Sequence, residues 1–245
     1  MLAQRAASRC EPSMRIVFLT LANIGLSVST LQKQIEGTLL PGMRVPEPLA
    51  LLFQWIEDNG FFIDRDNRRI GFLYPLETLQ AEWTETERPG GTHIEFLAEG
   101  NVNMKYWFGH ERPEVLNRLC VFAKTGADGS MAAFWIDDCG KQRIVHLGSG
   151  SGSILVCVLA DDPVDFLRLL AIGYDEICWN SAFSEPPNTH GELFVHPNVK
   201  YQEWVAKRFS VTIPKTAAEI VKHPSEMGDS QSEDDFCRWV EKNTR

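Results

Sequence analysis

Residues 163–172 constrain the fold more than any other segment, because they form a helical pattern with almost no polar face. Asp162, a preferred N-cap residue type, precedes the pattern, and Gly173, a common helix terminator, follows it. The apolar positions are Val164, Phe166, Leu167, Leu169, Leu170 and Ile172. A helix that is apolar nearly all round has to be buried. We therefore expect this helix to lie deep in a core that other elements cover.

The sequence before this helix predicts an antiparallel meander, because three apolar runs alternate with turn sequences. These runs are 132–136, 144–147 and 154–159. Further upstream, Asp66 and Asn67 form a turn signal between 61–63 and 70–74, which predicts a β-hairpin. Strands and helical patterns that do not alternate regularly indicate an α+β fold.

Periodicity and end signals place the remaining elements. Helices are predicted at 30–40, at 46–58 after the proline-led start Pro46-Glu47-Pro48, at 76–83, at 114–124 with Pro113 near the first turn, and at 201–209, 216–223 and 234–242. Further strands are predicted at 93–97 and 104–108, with loops at 85–91 and 180–197. The last three helices form a helical C-terminal extension.

The chain has no internal repeat and no low-complexity linker, which predicts one domain over residues 15–245. Its core is expected at about 30–175 and its helical extension at 176–245. Residues 1–14 are expected to be a disordered tail, with Met14 as an alternative start. An apolar run at 16–28 follows three arginines in the manner of a signal peptide, but polar residues dilute it. We expect a cytoplasmic protein, and a periplasmic one if this run is a signal peptide.

The charge balance restricts the class of partner. Lys and Arg total 24 against 33 Asp and Glu, so the net charge is −9. A chain of this charge repels phosphate backbones and attracts cationic partners. We therefore expect no direct nucleic-acid ligand, and no membrane partner either, because no later segment reaches about 18 consecutive apolar residues. The six cysteines include no C-x-x-C pair, which favours reduced thiols.

The motifs that could carry catalysis have simpler structural interpretations. The run Gly148–Ser153 could cradle a phosphate, but no Walker lysine and no helical pattern follow it, so we expect a hairpin turn. No G-x-S-x-G and no H-E-x-x-H motif is present, and we expect no cofactor or metal. One catalytic alternative stays open, a hydrolase that uses His110 with Glu111 in a cleft.

The strongest functional signal is a concentration of acidic residues. Residues 76–100 hold six Glu against one Arg, which gives −5 over this stretch. An acidic surface with a Trp anchor is typical of a protein-docking site. The candidate partner-binding residues are Glu77, Glu82, Trp83, Glu85 and Glu87, together with the pair Asp137 and Asp138 ahead of a turn. An ordinary solvated face remains the simpler interpretation.

Five strings in chain order resemble the SUKH superfamily of bacterial immunity proteins and their eukaryotic relatives. They are PEPLALLFQWIEDNG, LNRLCVFAKTG, MAAFWIDD, QRIVHLGSGSG and DDPVDFLRLLAIG. The resemblance covers roughly residues 30–175. It implies a mixed, mostly antiparallel central sheet flanked by helices, and no enzymatic activity.

The resemblance also implies a partner, because members are commonly encoded beside polymorphic toxins that they bind and block, often nucleases. We therefore expect a monomer that forms a one-to-one complex with a basic toxin or effector, delivered by a contact-dependent or type VI secretion system. The alternative is a regulatory or scaffold module that binds a housekeeping protein and has no toxin partner.

Overall fold

The computed structural model describes residues 28–81, 86–88, 93–189 and 194–244, and its main feature there is a seven-stranded sheet. The strands are β1 (Phe62–Arg65), β2 (Arg68–Gly71), β3 (Glu87–Arg88), β4 (Glu95–Gly100), β5 (Leu119–Lys124), β6 (Met131–Ile136), β7 (Gln142–Leu147), β8 (Val156–Ala160) and β9 (Phe194–Val195). The sheet order is β1-β2-β4-β5-β6-β7-β8 and each pairing is antiparallel, while β3 and β9 form a separate parallel ladder. The prediction of an α+β fold is confirmed.

Helices cover both faces of the sheet. They are α1 (Thr30–Glu36), α2 (Glu47–Asp58), α3 (Leu76–Leu79), α4 (Met104–Phe108), α5 (Pro113–Leu116), α6 (Pro163–Ala171), α7 (Val199–Phe209) and α8 (Asp235–Asn243). Residues of α1, α2, α6 and α7 share one apolar cluster with one side of the strands. Residues of α4, α5 and α8 share a second cluster with the other side.

The central strands alternate between these two clusters, as strand geometry requires. In β6, Phe134 belongs to the first cluster and Trp135 to the second. In β5, Phe122 belongs to the first cluster and Val121 to the second. Both faces of these strands are therefore buried, so their sequences are apolar without interruption.

The elements with strong local signals form as predicted. The three runs of the meander are β6, β7 and β8, and the Asp162 side chain caps α6 by accepting a hydrogen bond from Val164 N–H. Helix α6 is buried among α2, α7 and β8, as its lack of a polar face requires. The β1–β2 hairpin turns at Asp66 and Asn67, which both have positive φ, the conformation of a type I′ turn.

The predicted helix at 114–124 is wrong beyond its first turn. Helix α5 ends at Leu116, and the chain then enters β5, a central strand. The apolar spacing of Val115, Leu119 and Phe122 suits one helical face, but burial of β5 on both sides produces the same run of apolar residues.

The predicted strand at 104–108 is also wrong, because these residues form α4. Met104 and Phe108 are both buried, and they lie four residues apart on one face of this helix. Gly109, with φ of 72°, ends it in the left-handed conformation.

Smaller differences concern segments where turns compete with helices. The predicted helix at 216–223 is a single 3-10 turn, Ala217–Glu219, which a capping box between Thr216 and Glu219 fixes. The short helix predicted at 76–83 is α3, which ends at Leu79. The loops predicted at 85–91 and 180–197 contribute β3 and β9, which pair with each other.

The C-terminal residues close one edge of the sheet. Val156 N–H donates to Ser225 O at 2.8 Å, and Met227 N–H donates to Ile154 O at 2.8 Å. The buried Asp234 carboxylate then accepts from Val158 N–H at 2.9 Å and from Cys237 N–H at 2.8 Å. The Asp234 side chain thus caps α8 and also accepts a hydrogen bond from a backbone N–H at the edge of β8.

We predict that Asp234→Ala lowers the free energy of unfolding by about 2 to 4 kcal/mol, because it removes a helix cap and leaves the partly buried Val158 N–H without an acceptor. The matched control is Asp162→Ala at the exposed N-cap of α6, for which we expect about 1 kcal/mol. Urea unfolding followed by circular dichroism measures both. Equal losses for the two variants contradict the double role of Asp234.

Candidate functional site

The structure describes only part of the predicted acidic docking surface. Glu77 is exposed on α3, and Glu87 is exposed on β3, where its Oε2 lies 3.1 Å from His196 Nε2. Glu82, Trp83 and Glu85 lie outside the described residues.

Asp137 and Asp138 lie in the turn after β6 and have different surroundings. The Asp137 side chain is 10% exposed, and its Oδ1 accepts hydrogen bonds from Cys139 N–H at 2.9 Å and Lys141 N–H at 2.8 Å. The Asp138 side chain is 74% exposed and forms an ion pair with Arg118 at 2.6 Å. Asp138 is therefore available to a partner, while Asp137 mainly holds the turn.

The structure does not bring the two predicted groups together. The acidic stretch of residues 76–100 runs into β4. Strands β4 and β6 run in the same direction, so β4 begins at the end of the sheet where β6 begins. The turn that holds Asp138 follows the end of β6, about 20 Å away for a strand of six residues.

The end of the sheet where β6 begins is organised by Asp128, which the sequence analysis did not single out. Its carboxylate accepts hydrogen bonds from Ser130 N–H at 3.0 Å, Ser153 N–H at 2.7 Å, the Ser130 hydroxyl at 3.0 Å and the Ser149 hydroxyl at 2.7 Å. Partial burial alone would raise the pKa of Asp128, but these bonds outweigh it and lower the pKa to about 2. Asp128 therefore stays ionised at neutral pH.

The Gly148–Ser153 run is the predicted hairpin turn between β7 and β8, and it folds around Asp128. A Cβ added at Gly152 would lie 2.7 Å from the Asp128 side chain. A Cβ added at Gly126 would lie 2.6 Å from Cys178 Sγ. Glycine at these two positions lets both turns approach their neighbours closely.

A second acidic group lies beside this turn, in the segment after α6. Glu176 accepts a hydrogen bond from Ala127 N–H at 2.8 Å and another from Trp179 Nε1 at 2.7 Å. His93 Nε2 lies 3.8 Å from Asp175 Oδ2 and 4.0 Å from Glu176 Oε1. We call Asp128, Asp175 and Glu176 the acidic cluster.

Trp179 gives this cluster an exposed aromatic edge. Trp179 is 43% exposed, although its indole N–H donates a hydrogen bond to Glu176. Within the described residues, no Lys or Arg lies within ion-pair distance of Asp128 or Glu176, and their hydrogen bonds come from uncharged donors. The cluster therefore combines local negative charge with an aromatic contact surface, as protein interfaces often do.

His146, on β7, is fully buried and has a structural role. Because Leu155 O can only accept, His146 Nδ1–H donates to it at 2.9 Å, and the Thr125 hydroxyl then donates to Nε2 at 3.0 Å. Burial lowers the pKa of His146 to about 4. Its imidazole is neutral at pH 7 and has no contact with solvent.

Four of the described cysteines carry buried free thiols, whereas Cys139 is disulfide-bonded, which contradicts the expectation of reduced thiols at that position. Cys120, Cys157, Cys178 and Cys237 are free cysteines, and burial raises the pKa of each, to about 11 for Cys237. These thiols are protonated at neutral pH and make poor nucleophiles. In the ranges that the structure describes, no group of three His, Cys, Asp or Glu side chains could hold a metal ion.

His110 and Glu111, the residues of the hydrolase alternative, line one shallow cavity of about 330 Å³. His110 Nε2 lies 2.8 Å from Asn243 O at the end of α8, and Glu111 forms an ion pair with Lys105 at 3.1 Å. The two side chains thus have separate partners.

Comparisons with protein-family models, with curated proteins and with solved structures found no match. The resemblance to the SUKH superfamily therefore rests on the quoted strings alone. None of the helices in the described ranges has both the length and the apolar character to span a membrane.

We predict that acid weakens the fold between pH 6.5 and pH 4 through His146. In this range the unfolded imidazole binds a proton and the folded one, with its pKa of about 4, does not, so the free energy of unfolding falls as pH falls. The full effect of the shift is on the order of 3 kcal/mol. Urea unfolding at several pH values measures it.

His146→Gln removes the titrating group, so its stability should change less over this range than that of the wild type. His223→Gln, at a half-exposed imidazole, is the control and should retain the wild-type dependence. A wild-type pH dependence in His146→Gln contradicts the assignment.

Proposed function

We propose that this protein binds a basic protein partner and blocks its action, in the way that an immunity protein neutralises a secreted toxin. In this proposal the chain catalyses no reaction, and the complex forms in the cytoplasm with one copy of each protein. The favoured partner is a nuclease effector delivered by a contact-dependent or type VI secretion system.

The observation that carries the proposal is the acidic cluster with Trp179 exposed at its edge. Trp is enriched at the energetic centres of protein interfaces, because it buries a large area at a small cost in conformational entropy. The hydrogen bond from Trp179 to Glu176 orients the ring before a partner arrives, which lowers the ordering cost of binding.

Electrostatics supports a basic partner. Hydrogen bonding lowers the pKa of Asp128 to about 2, so this charge persists at neutral pH, and the whole chain carries −9. Charge of this sign raises the association rate with a cationic protein. A nuclease has a basic surface for phosphates, which an acidic inhibitor can cover.

Glu77 and Glu87 remain a proposed second contact surface, since both are exposed. Asp138 is exposed at the opposite end of the sheet and remains a proposed contact as well.

Co-expression tests the proposal directly. The product of the neighbouring gene should stop growth when it is expressed alone, and this chain should restore growth. A neighbour that is harmless by itself contradicts a toxin partner. A housekeeping protein as the stable partner would instead support the regulatory or scaffold module.

We predict that Trp179→Ala weakens binding of the toxin about tenfold or more, because it removes the aromatic contact. Glu176→Gln keeps the shape of the side chain and should lower mainly the association rate at low salt. Surface plasmon resonance measures the dissociation constant and the association rate constant. Val199→Ala removes an exposed apolar side chain on α7 and is the control. Equal effects of Trp179→Ala and Val199→Ala contradict the proposed surface.

A further inference from the structure

A cavity of about 500 Å³ lies at the end of the sheet opposite the acidic cluster, between the β6–β7 turn and α8. Strand β6 supplies Trp135 to its lining. Helix α8 supplies residues from one face, at the spacing i, i+3, i+4 and i+7. They are Asp235, Arg238, Trp239 and Lys242.

Two tryptophans form the aromatic part of the lining. The ring centroids of Trp135 and Trp239 lie 5.6 Å apart, at an angle of 51°. The Arg118 guanidinium lies 5.8 Å from the Trp135 ring and 5.1 Å from the Trp239 ring. The two rings are 2% and 6% exposed, so they give the cavity a narrow apolar border beside a fixed cation.

Two residues of the lining, Trp135 and Arg143, have a buried N–H donor without an acceptor. Among the residues that the structure describes, Trp135 Nε1 donates to no protein group, and the same holds for the buried Nη2 of Arg118, which packs beside the two rings but is not part of the lining. Trp135 itself is only 2% exposed. A third such donor, Arg143 Nε, lies 3.1 Å from Asp161 Oδ1 without a hydrogen bond. A buried donor without an acceptor has lost its hydrogen bond to water, and a ligand that brings an acceptor can restore that bond.

The charges of the lining favour a neutral acceptor over an anion. Three aspartates are balanced there by two arginines and one lysine. Asp235 already accepts from Arg143 at 2.7 Å and from Arg238 at 2.5 Å. A carboxylate ligand would meet the negative side chains at short range, whereas an amide carbonyl would not.

The mouth of the pocket favours a basic side chain. Asp138 lines the cavity and its side chain is 74% exposed, so one face of its carboxylate remains open beyond the contact with Arg118. A basic group next to the bound carbonyl would reach the Asp138 carboxylate.

We propose that this cavity is a binding site for a peptide segment that places an amide carbonyl against the Trp135 indole N–H and a basic side chain beside Asp138. The source of the peptide, a basic protein partner, rests on the proposed function. The site itself is distinct from the acidic cluster.

The test uses N-acetyl-arginine N-methylamide as the probe and the full-length protein labelled with nitrogen-15. The indole N–H signal of Trp135 is assigned by its loss in Trp135→Phe. We expect the arginine probe to shift this signal saturably, and N-acetyl-glutamate N-methylamide to shift it much less. Because the probe contains no partner protein, a failed toxin assay and a failed probe titration are separate outcomes.

Asp138→Asn should weaken binding of the arginine probe about threefold, as the loss of an exposed ion pair predicts. Asp66→Asn, in the β1–β2 turn where the side chain is 89% exposed, is the control and should bind like the wild type. Absence of a saturable Trp135 shift overturns the site. An equal response to the glutamate probe overturns the assigned ligand chemistry, and unchanged binding in Asp138→Asn overturns the place of the basic side chain.

Discussion

Burial of the central sheet on both faces is the constraint on which the rest of the structure depends. Helices α1, α2, α6 and α7 cover one side, and α4, α5 and α8 cover the other. The C-terminal residues also close the β8 edge through Ser225 and Asp234. The turns at the two ends of the sheet are therefore the main places where polar groups of several strands meet. Both proposed binding sites lie there.

The same constraint explains which elements sequence reasoning could predict. The Asp66-Asn67 turn, the Asp162 cap and the polar turns of the meander are local signals, and each element that they mark forms as expected. Strand β5 has no such signal. Because neighbours bury both of its faces, no alternation distinguishes it from a helix, and the preceding Pro113 favoured the wrong interpretation.

The candidate site was harder to predict than the fold. The acidic stretch at 76–100 predicted a different acidic surface, whereas Asp128 and Glu176 are far apart in sequence and are brought together by contacts such as the bond from Ala127 N–H to Glu176. One signal was present in the sequence, because the Gly148–Ser153 run offers several hydroxyl and N–H donors. Asp128, in a turn next to Gly129, accepts hydrogen bonds from two of them. Asp137 shows the opposite case, since a residue proposed for binding is largely occupied by its own turn.

In the proposed function, the acidic cluster and Trp179 form the surface that a basic protein covers. Amide hydrogen exchange of this chain, alone and in its complex with that protein, provides the test. We expect slower exchange in the complex at residues 174–180 and in the turn at 148–153, with little change in the β1–β2 hairpin. Protection confined to that hairpin or to α7, with residues 174–180 exchanging as in the free protein, would contradict it.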